Sequence, residues 1–492
     1  PADAPPALAV GMTEAALLPP DGELQRLPLD GARTRLSRAR PLVCHAPQTA
    51  TRLGVERLRA HDLLELFAFV RPARFCVPTP GGLADALDLA RPGDLEESAA
   101  LLPRAADILL GELGATPANR LPDARSTAWT MARGGWAWGA AVLRALGVGD
   151  EAAPARPGDG LRVWLRIPEW QETHPVPPDA HIGVTEEQAI GRLDSLLGGA
   201  AEERPQQRDY AAACSHAFQP RDEEGHPKLV LAEAGTGVGK TLGYIAPASV
   251  WAEESRGAVW LATYTRNLQR QLDQELDRLY PDAEEKRRRV VVRKGRENYL
   301  CLLNFEEAAS SLGAGDPVAL GLMARWALET RDGDMVGGDF PSWLTELVGR
   351  PRTLGLTDRR GECIYAACPH YKKCFIEGSI RRARRAEIVV ANHALVMIQA
   401  ALGGGDEGTI PPRTVFDDQQ ELMILPLSTS TQMVRYAEVT TERDNVIESA
   451  FGDGQNQIST AAYQNALDEY IQTGYESWGG ARFNGGSGTW EM

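Results

Sequence analysis

LVLAEAGTGVGKTLGYIAPASVW, residues 229–251, is the stretch on which the fold turns. LVLA reads as a short buried strand and Lys240 to Trp251 as a helix, with a glycine-rich loop between them. AGTGVGKT at 234–241 matches the phosphate-loop pattern G-x-x-x-x-G-K-[ST], except that Ala234 replaces the first glycine. Glycine lacks a Cβ, so Gly235, Gly237 and Gly239 let the main chain curl. The loop N–H groups, those of Thr236 and Val238 included, can then face a phosphate. A helix starting near Gly239 presents its positive end to the same anion. Lys240 is placed to reach the β- and γ-phosphates of a nucleoside triphosphate, and Thr241 to ligate Mg²⁺. A chance glycine turn is the bland alternative. The strand before and helix after argue against it.

Downstream the pattern alternates. AVWLATY at 258–264 predicts a second strand, NLQRQLDQELDRLY a helix, RVVV at 289–292 a third strand, and EIVVANHALVMIQAAL a strand and helix. Strand–helix alternation of this kind means a parallel sheet with crossover helices. Upstream, LVCHAPQTATRLG and HDLLELFAFV read as a strand with its loop and then a helix. Residues 96–147 read as mainly helical, and RIPEWQETHPVPPD at 167–179 as a linker.

The chain has 492 residues, 43% hydrophobic, enough for two to four domains. No apolar run approaches the ~20 residues that cross a bilayer. The first residues lack the basic head of a secretory signal, and the chain opens on Pro rather than Met, so a missing native start is expected. Seven cysteines, an odd number, argue against a disulfide framework and for a reducing, cytoplasmic setting. Cys44, Cys76 and Cys214 sit among small or apolar residues and read as buried thiols. The net charge is −15, but residues 415–492 hold three Arg against twelve Asp or Glu. Cations bunch in KRRRVVVRKGR at 286–296 and RRARR at 381–385, each either a solvated helix face or a phosphate contact.

GECIYAACPHYKKC at 361–374 carries Cys363, Cys368 and Cys374, and RKGRENYLC supplies Cys301. Sixty-one, four and five residues separate the four. Four thiolates can hold zinc or an iron–sulfur cluster. Structural zinc favours close CxxC pairs, absent here, which tilts the reading toward iron–sulfur without deciding it.

Several of these segments, in order, resemble the iron–sulfur superfamily 2 DNA helicases of the DinG/XPD type. ERPQQRDYA at 203–211 resembles the adenine-recognising Q element, with Gln207 as its reader. EAGTGVGKTLGYIAPA resembles motif I, WLATYTRNLQRQL motif Ia, and RKGRENYLC with the later cysteines and RRARRAEIVVANHALV the four-cysteine insertion and its exit strand. The likeness covers roughly 200–413. It implies ATP and Mg²⁺ as ligands, a [4Fe–4S] cluster on Cys301, Cys363, Cys368 and Cys374 beside the DNA path, and 5′–3′ movement on single-stranded or forked DNA by a monomer. Tyr299 and Tyr371 are candidate platforms for unpaired bases, with core packing the equal alternative.

The expected fold is α/β. A RecA-like P-loop domain at 201–416 holds an iron–sulfur insertion at about 295–385. Ahead of it lie a region at 1–95, fainter in its likeness to a DnaQ-type exonuclease, and a helical region with linker at 96–200. LAVGMTEAALL lacks the Asp-x-Glu pair that two metals require, and His45 and Asp62 alone do not replace it, so that region is read as non-catalytic. RTVFDDQQEL at 413–422 departs from the family's DEAH box. Asp417 stands for the Mg²⁺ carboxylate, Asp418 replaces Glu and is shorter by a methylene, and Gln420 replaces His. Near there the composition shifts to a polar, Gly-rich tail at 417–492, too short for a second RecA half. Truncation with an unrelated tail is expected, a short paralogue being the alternative. The chain therefore reads as part of an ATP-dependent helicase, or as a nucleotide- and DNA-binding module that does not unwind. A P-loop kinase with zinc explains fewer of the motifs.

Overall fold

The computed structural model describes residues 5–20, 22–36, 40–148, 158–170, 182–198, 204–220, 230–235, 237–311, 316–358, 362–396, 413–417, 421–426, 482–484 and 489–491. Thr236, Asp418 and the predicted tail helix near 459–472 lie outside them. The molecule is mixed α/β with parallel strands, in two compact units: Pro1–Glu172 with Gly295–Gly378, and Thr173–Lys294 with Ser379–Met492.

The first unit begins with β1 (Ala7–Val10), β2 (Glu14–Leu18), β3 (Gln25–Pro28), β4 (Leu42–Val43) and β5 (His61–Asp62). The sheet order is β3-β2-β1-β4-β5, with β2 antiparallel to its neighbours and β1, β4 and β5 parallel. Side chains alternate across β1. Leu8 and Val10 pack with Leu17, Val43 and Leu53, while Ala9 meets Ala16 and Ala99 on the helix Leu95–Gly114. Small residues on that face let the helix approach closely. Asp62 caps the helix Leu63–Val70, accepting from the Leu64 N–H at 2.8 Å.

Residues 295–378 fold against this N-terminal region. The helix Pro317–Glu329, capped by Asp316, buries Leu322, Met323 and Trp326 in one continuous core with Leu63, Phe67, Phe69 and Met131. The sequence places 295–385 as an insertion in the P-loop domain, and nothing local to it announces this partner.

The second unit holds β6 (Val230–Glu233), β7 (Val259–Thr263), β8 (Val290–Val292), β9 (Ile388–Asn392), β10 (Arg413–Asp417) and β11 (Glu421–Pro426) in the order β6-β11-β10-β7-β9-β8. Neighbours β10, β7, β9 and β8 are parallel, and β11 runs antiparallel between β10 and β6. The helix Lys240–Ser255 buries Leu242, Tyr244 and Ile245 at one end and Trp251 at the other. The helix Arg266–Leu279 sets Leu272 and Leu276 in the same core as Leu261 and Ile388. Every strand predicted from 229 to 396 is present, and a short helix Ala283–Arg289 precedes β8.

Candidate functional site

The P-loop leaves β6 at the carboxyl end of the parallel strands, where open α/β sheets bind ligands. Gly237 (φ +83°) and Gly239 (φ +91°) take the left-handed conformation that glycine allows. Gly239 caps the helix Lys240–Ser255 with no side chain over its first N–H groups, so the helix end stays open to an anion. The Lys240 ammonium donates back to the Ala234 carbonyl at 2.9 Å.

The strand register brings the other candidates to the same edge. Asp417 pairs with Thr263, and Thr263 with Asn392, as the last residues of β10, β7 and β9. Tyr244 lies one turn after Thr241 on the P-loop helix. Its hydroxyl donates to Asp417 Oδ2 at 2.5 Å. Asp417, held by the Tyr244 hydroxyl, and Thr241, three residues before Tyr244 on the same helix, are the two residues expected at Mg²⁺. Burial first, then the Asp417 charge, pushes the Tyr244 pKa well up. Sequence reasoning passed over Tyr244, although its i+3 spacing from Thr241 puts both on one helix face. It also passed over His393, whose buried ring meets the Ala262 carbonyl through Nε2 at 3.1 Å.

Gln207 is buried on the helix Pro205–Ser215, and its Nε2 donates to the Gly239 carbonyl at 2.8 Å. Its Oε1 is buried without a hydrogen-bond partner. Gln207 therefore braces the Gly237–Gly239 turn through its bond to the Gly239 carbonyl.

In the first unit, Cys301, Cys363, Cys368 and Cys374 line one small cavity of about 40 Å³, together with Arg296 and Asp358. Cys301 is the N-cap residue of the helix Leu302–Ser310, with no side-chain cap hydrogen bond. Cys374 precedes the helix Phe375–Ala383 and faces the N–H groups of Ile376 and Glu377. Cys368 faces the His370 N–H, and Cys363 Sγ accepts from Tyr365 N at 3.4 Å and from Arg296 at 2.7 Å. Burial raises the Cys301, Cys368 and Cys374 thiols, the last to about 11. Among the described residues, no three His, Cys, Asp or Glu side chains stand close enough to hold a single ion.

The basic run at 286–296 is largely spent inside the fold. Lys286 pairs with Asp273 at 3.0 Å and Asp277 at 2.8 Å, Arg287 with Glu284, and Arg289 with Glu387 at 2.5 Å. Arg293 is buried over the Trp260 ring. Arg382, Arg384 and Arg385 of the second run are exposed. Of the aromatic platforms, Tyr299 is buried and Tyr371 meets Trp170 edge-on. Tyr365, 60% exposed with φ +48° and Arg296 over one ring face, is the open ring beside the cysteines.

No family model matches the chain. The ATP-dependent DNA helicase YoaA of Escherichia coli K12 is 32% identical over 248 residues, 47% of this chain and 35% of that protein. The ATP-dependent helicase DinG of Mycobacterium tuberculosis H37Rv is 32% identical over 254 residues, 46% of this chain and 35% of that protein. The 3′-5′ exonuclease DinG of Bacillus subtilis 168 is 28% identical over 207 residues, 42% of this chain and 21% of that protein. The chain thus spans about a third of the length of the helicases it matches. Over the half of its own length that they share, the chain is DinG-like.

Proposed function

We propose that the chain carries the ATP-binding portion of a DinG-type DNA helicase, with 201–416 as a RecA-like domain and 5′–3′ movement on single-stranded DNA as the activity it serves. The observation that carries the reading is the turn after β6 with Gly237 and Gly239 left-handed, together with Asp417 at the same sheet edge held by the hydroxyl of Tyr244 on the helix that the turn opens. The turn's N–H groups and the helix end receive the phosphates. Lys240 leaves the Ala234 carbonyl for the β/γ-oxygens, neutralising charge where it builds. Thr241 and Asp417 would hold Mg²⁺, which supplies electrostatic stabilisation of the transferring phosphoryl group. Asp418, with the shorter side chain, is the residue assigned to orient water, at a cost of around 10²-fold if water sits ~1 Å off line.

The four cysteines fit an iron–sulfur cluster. Zinc at about 2.3 Å from each sulfur draws four ligands onto one point. A [4Fe–4S] cluster takes one thiolate per iron and spreads them. That Cys301, Cys363, Cys368 and Cys374 line one cavity supports reading them as a single site. The cluster would brace the loop structurally. The exposed Arg382, Arg384 and Arg385 and the open Tyr365 ring are the groups offered to phosphates and bases of single-stranded or forked DNA. No helix of the described residues is long and apolar enough to cross a membrane, and a cytoplasmic monomer is the proposed state.

Steady-state ATPase with and without single-stranded DNA tests the reading. DNA-stimulated turnover abolished by Lys240→Ala supports it. ATP binding without DNA-stimulated turnover favours the non-unwinding module, and unchanged turnover in Lys240→Ala removes the P-loop assignment.

A further inference from the structure

We propose that the N-terminal region serves as the structural half of the cysteine site: residues 163–170 form a clasp that holds the 370–373 loop in place, whatever chemistry the N-terminal sheet once had. Trp170 donates twice to that loop, from its backbone N–H to the Lys372 carbonyl at 2.9 Å and from Nε1 to the Tyr371 carbonyl at 2.9 Å. Its ring meets Tyr371 edge-on at 5.4 Å. In return, Lys373 Nζ donates to the Trp164 carbonyl at 2.8 Å, and the Trp164 ring lies 5.8 Å from His370. The clasped run is the five-residue interval between Cys368 and Cys374.

That interval has little regular structure of its own. It contains one 3₁₀ turn, Tyr371–Lys373, and a single short turn fixes few backbone groups. Two of its carbonyls are answered from about 200 residues upstream. The clasp is anchored, because the same N-terminal region shares its core with the rest of 295–378. Trp343 Nε1 donates to the Cys76 carbonyl at 2.9 Å within that core, and Arg325 Nε donates to the Phe69 carbonyl at 3.0 Å. A Cβ on Gly321 would run into the Met131 side chain, so Met131 packs directly against the backbone of the helix Pro317–Glu329. An N-terminal sheet whose first strand, Ala7–Val10, carries no carboxylate is thus retained for packing.

The inference rests on the cluster reading for its first readout and on the geometry alone for its second. In the full chain purified anaerobically, Trp170→Ala should lose iron to a chelator, followed near 400 nm, roughly tenfold faster than the parent, the factor allowed by one hydrogen bond and one ring contact. Trp170→Phe, which keeps a ring but lacks Nε1, should fall between. Amide hydrogen exchange over 363–374 should rise in Trp170→Ala while nucleotide affinity is unchanged, which shows that the variant is folded. Equal exchange over 363–374 in parent and Trp170→Ala overturns the clasp. Should the parent contain no iron, the cluster reading fails and exchange alone decides the clasp.

Discussion

Gly239→Ala separates two contributions at the P-loop. Gly239 sits at φ +91°, and an ideal Cβ there would run into the Gln207 amide, with Cδ at 2.8 Å. An alanine held in the left-handed region costs about 1–3 kcal/mol, and forcing an atom into a packed site costs about another 1–3 kcal/mol. The native loop geometry should therefore be disfavoured by roughly 2–6 kcal/mol, weakening ATP binding by a factor of at least about thirty. Removing the obstacle isolates the terms. Gln207→Ala alone loses the 2.8 Å bond to the Gly239 carbonyl, about 1 kcal/mol. In the double variant the steric cost disappears and the conformational cost stays, so the two changes should be non-additive by about 1–3 kcal/mol. A fluorescent-ATP titration of the four proteins reads this directly. Wild-type affinity in Gly239→Ala would refute the loop conformation, and strict additivity would refute the contact with Gln207.

Three further outcomes are expected. Tyr244→Phe removes a charge-assisted bond to Asp417, worth about 1.5–3 kcal/mol. Its Mg²⁺ dependence of ATP binding should change while metal-free affinity does not, as calorimetry with and without EDTA would show. Burial raises Asp62 to about 7, and burial with the Asp62 charge raises Glu65 to about 8. Both folded values exceed the unfolded ones, so the stability from the neutral forms is complete below about pH 4 and is lost as pH rises through 7 to 8. Glu65→Gln keeps an acceptor for the Trp136 N–H and should flatten the fall in melting temperature between about pH 4 and 8. Replacing Arg382, Arg384 and Arg385 with Ala should reduce the salt slope of single-stranded DNA binding by about 2 by counterion release. Lys286→Ala should leave that slope unchanged and lower stability instead, which denaturant titration with DNA binding at several salt concentrations would check.

What could be read from the sequence was local. The P-loop announces itself because two left-handed glycines, a lysine and a threonine must follow a strand and open a helix within eight residues. The strands β7, β8 and β9 show as apolar runs because both faces of a parallel sheet are covered. What could not be read was distant. Trp170 and Tyr371 lie 201 residues apart, and Arg325 and Phe69 lie 256 apart, so neither pair leaves a periodic mark. The β1–β2 hairpin is built of Ala and Leu without a strong turn signal, and its identity comes from what packs on it. KRRR at 286–289 reads equally as a solvated helix face or a phosphate contact until Asp273, Asp277 and Glu387, from other turns of the fold, are seen to meet it. Tyr299 and Tyr371 look alike in sequence to Tyr365, and only burial distinguishes the open ring.

The most direct measurement is equilibrium binding of Mg²⁺-ATP to the purified chain and to Lys240→Ala, since binding depends on the loop and not on Asp418 or the residues beyond it. Saturable binding by the parent, lost or weakened by two orders of magnitude or so in the variant, is the predicted result for a charge-assisted contact to phosphate. Equal affinity in the two proteins, or none in either, would contradict the account.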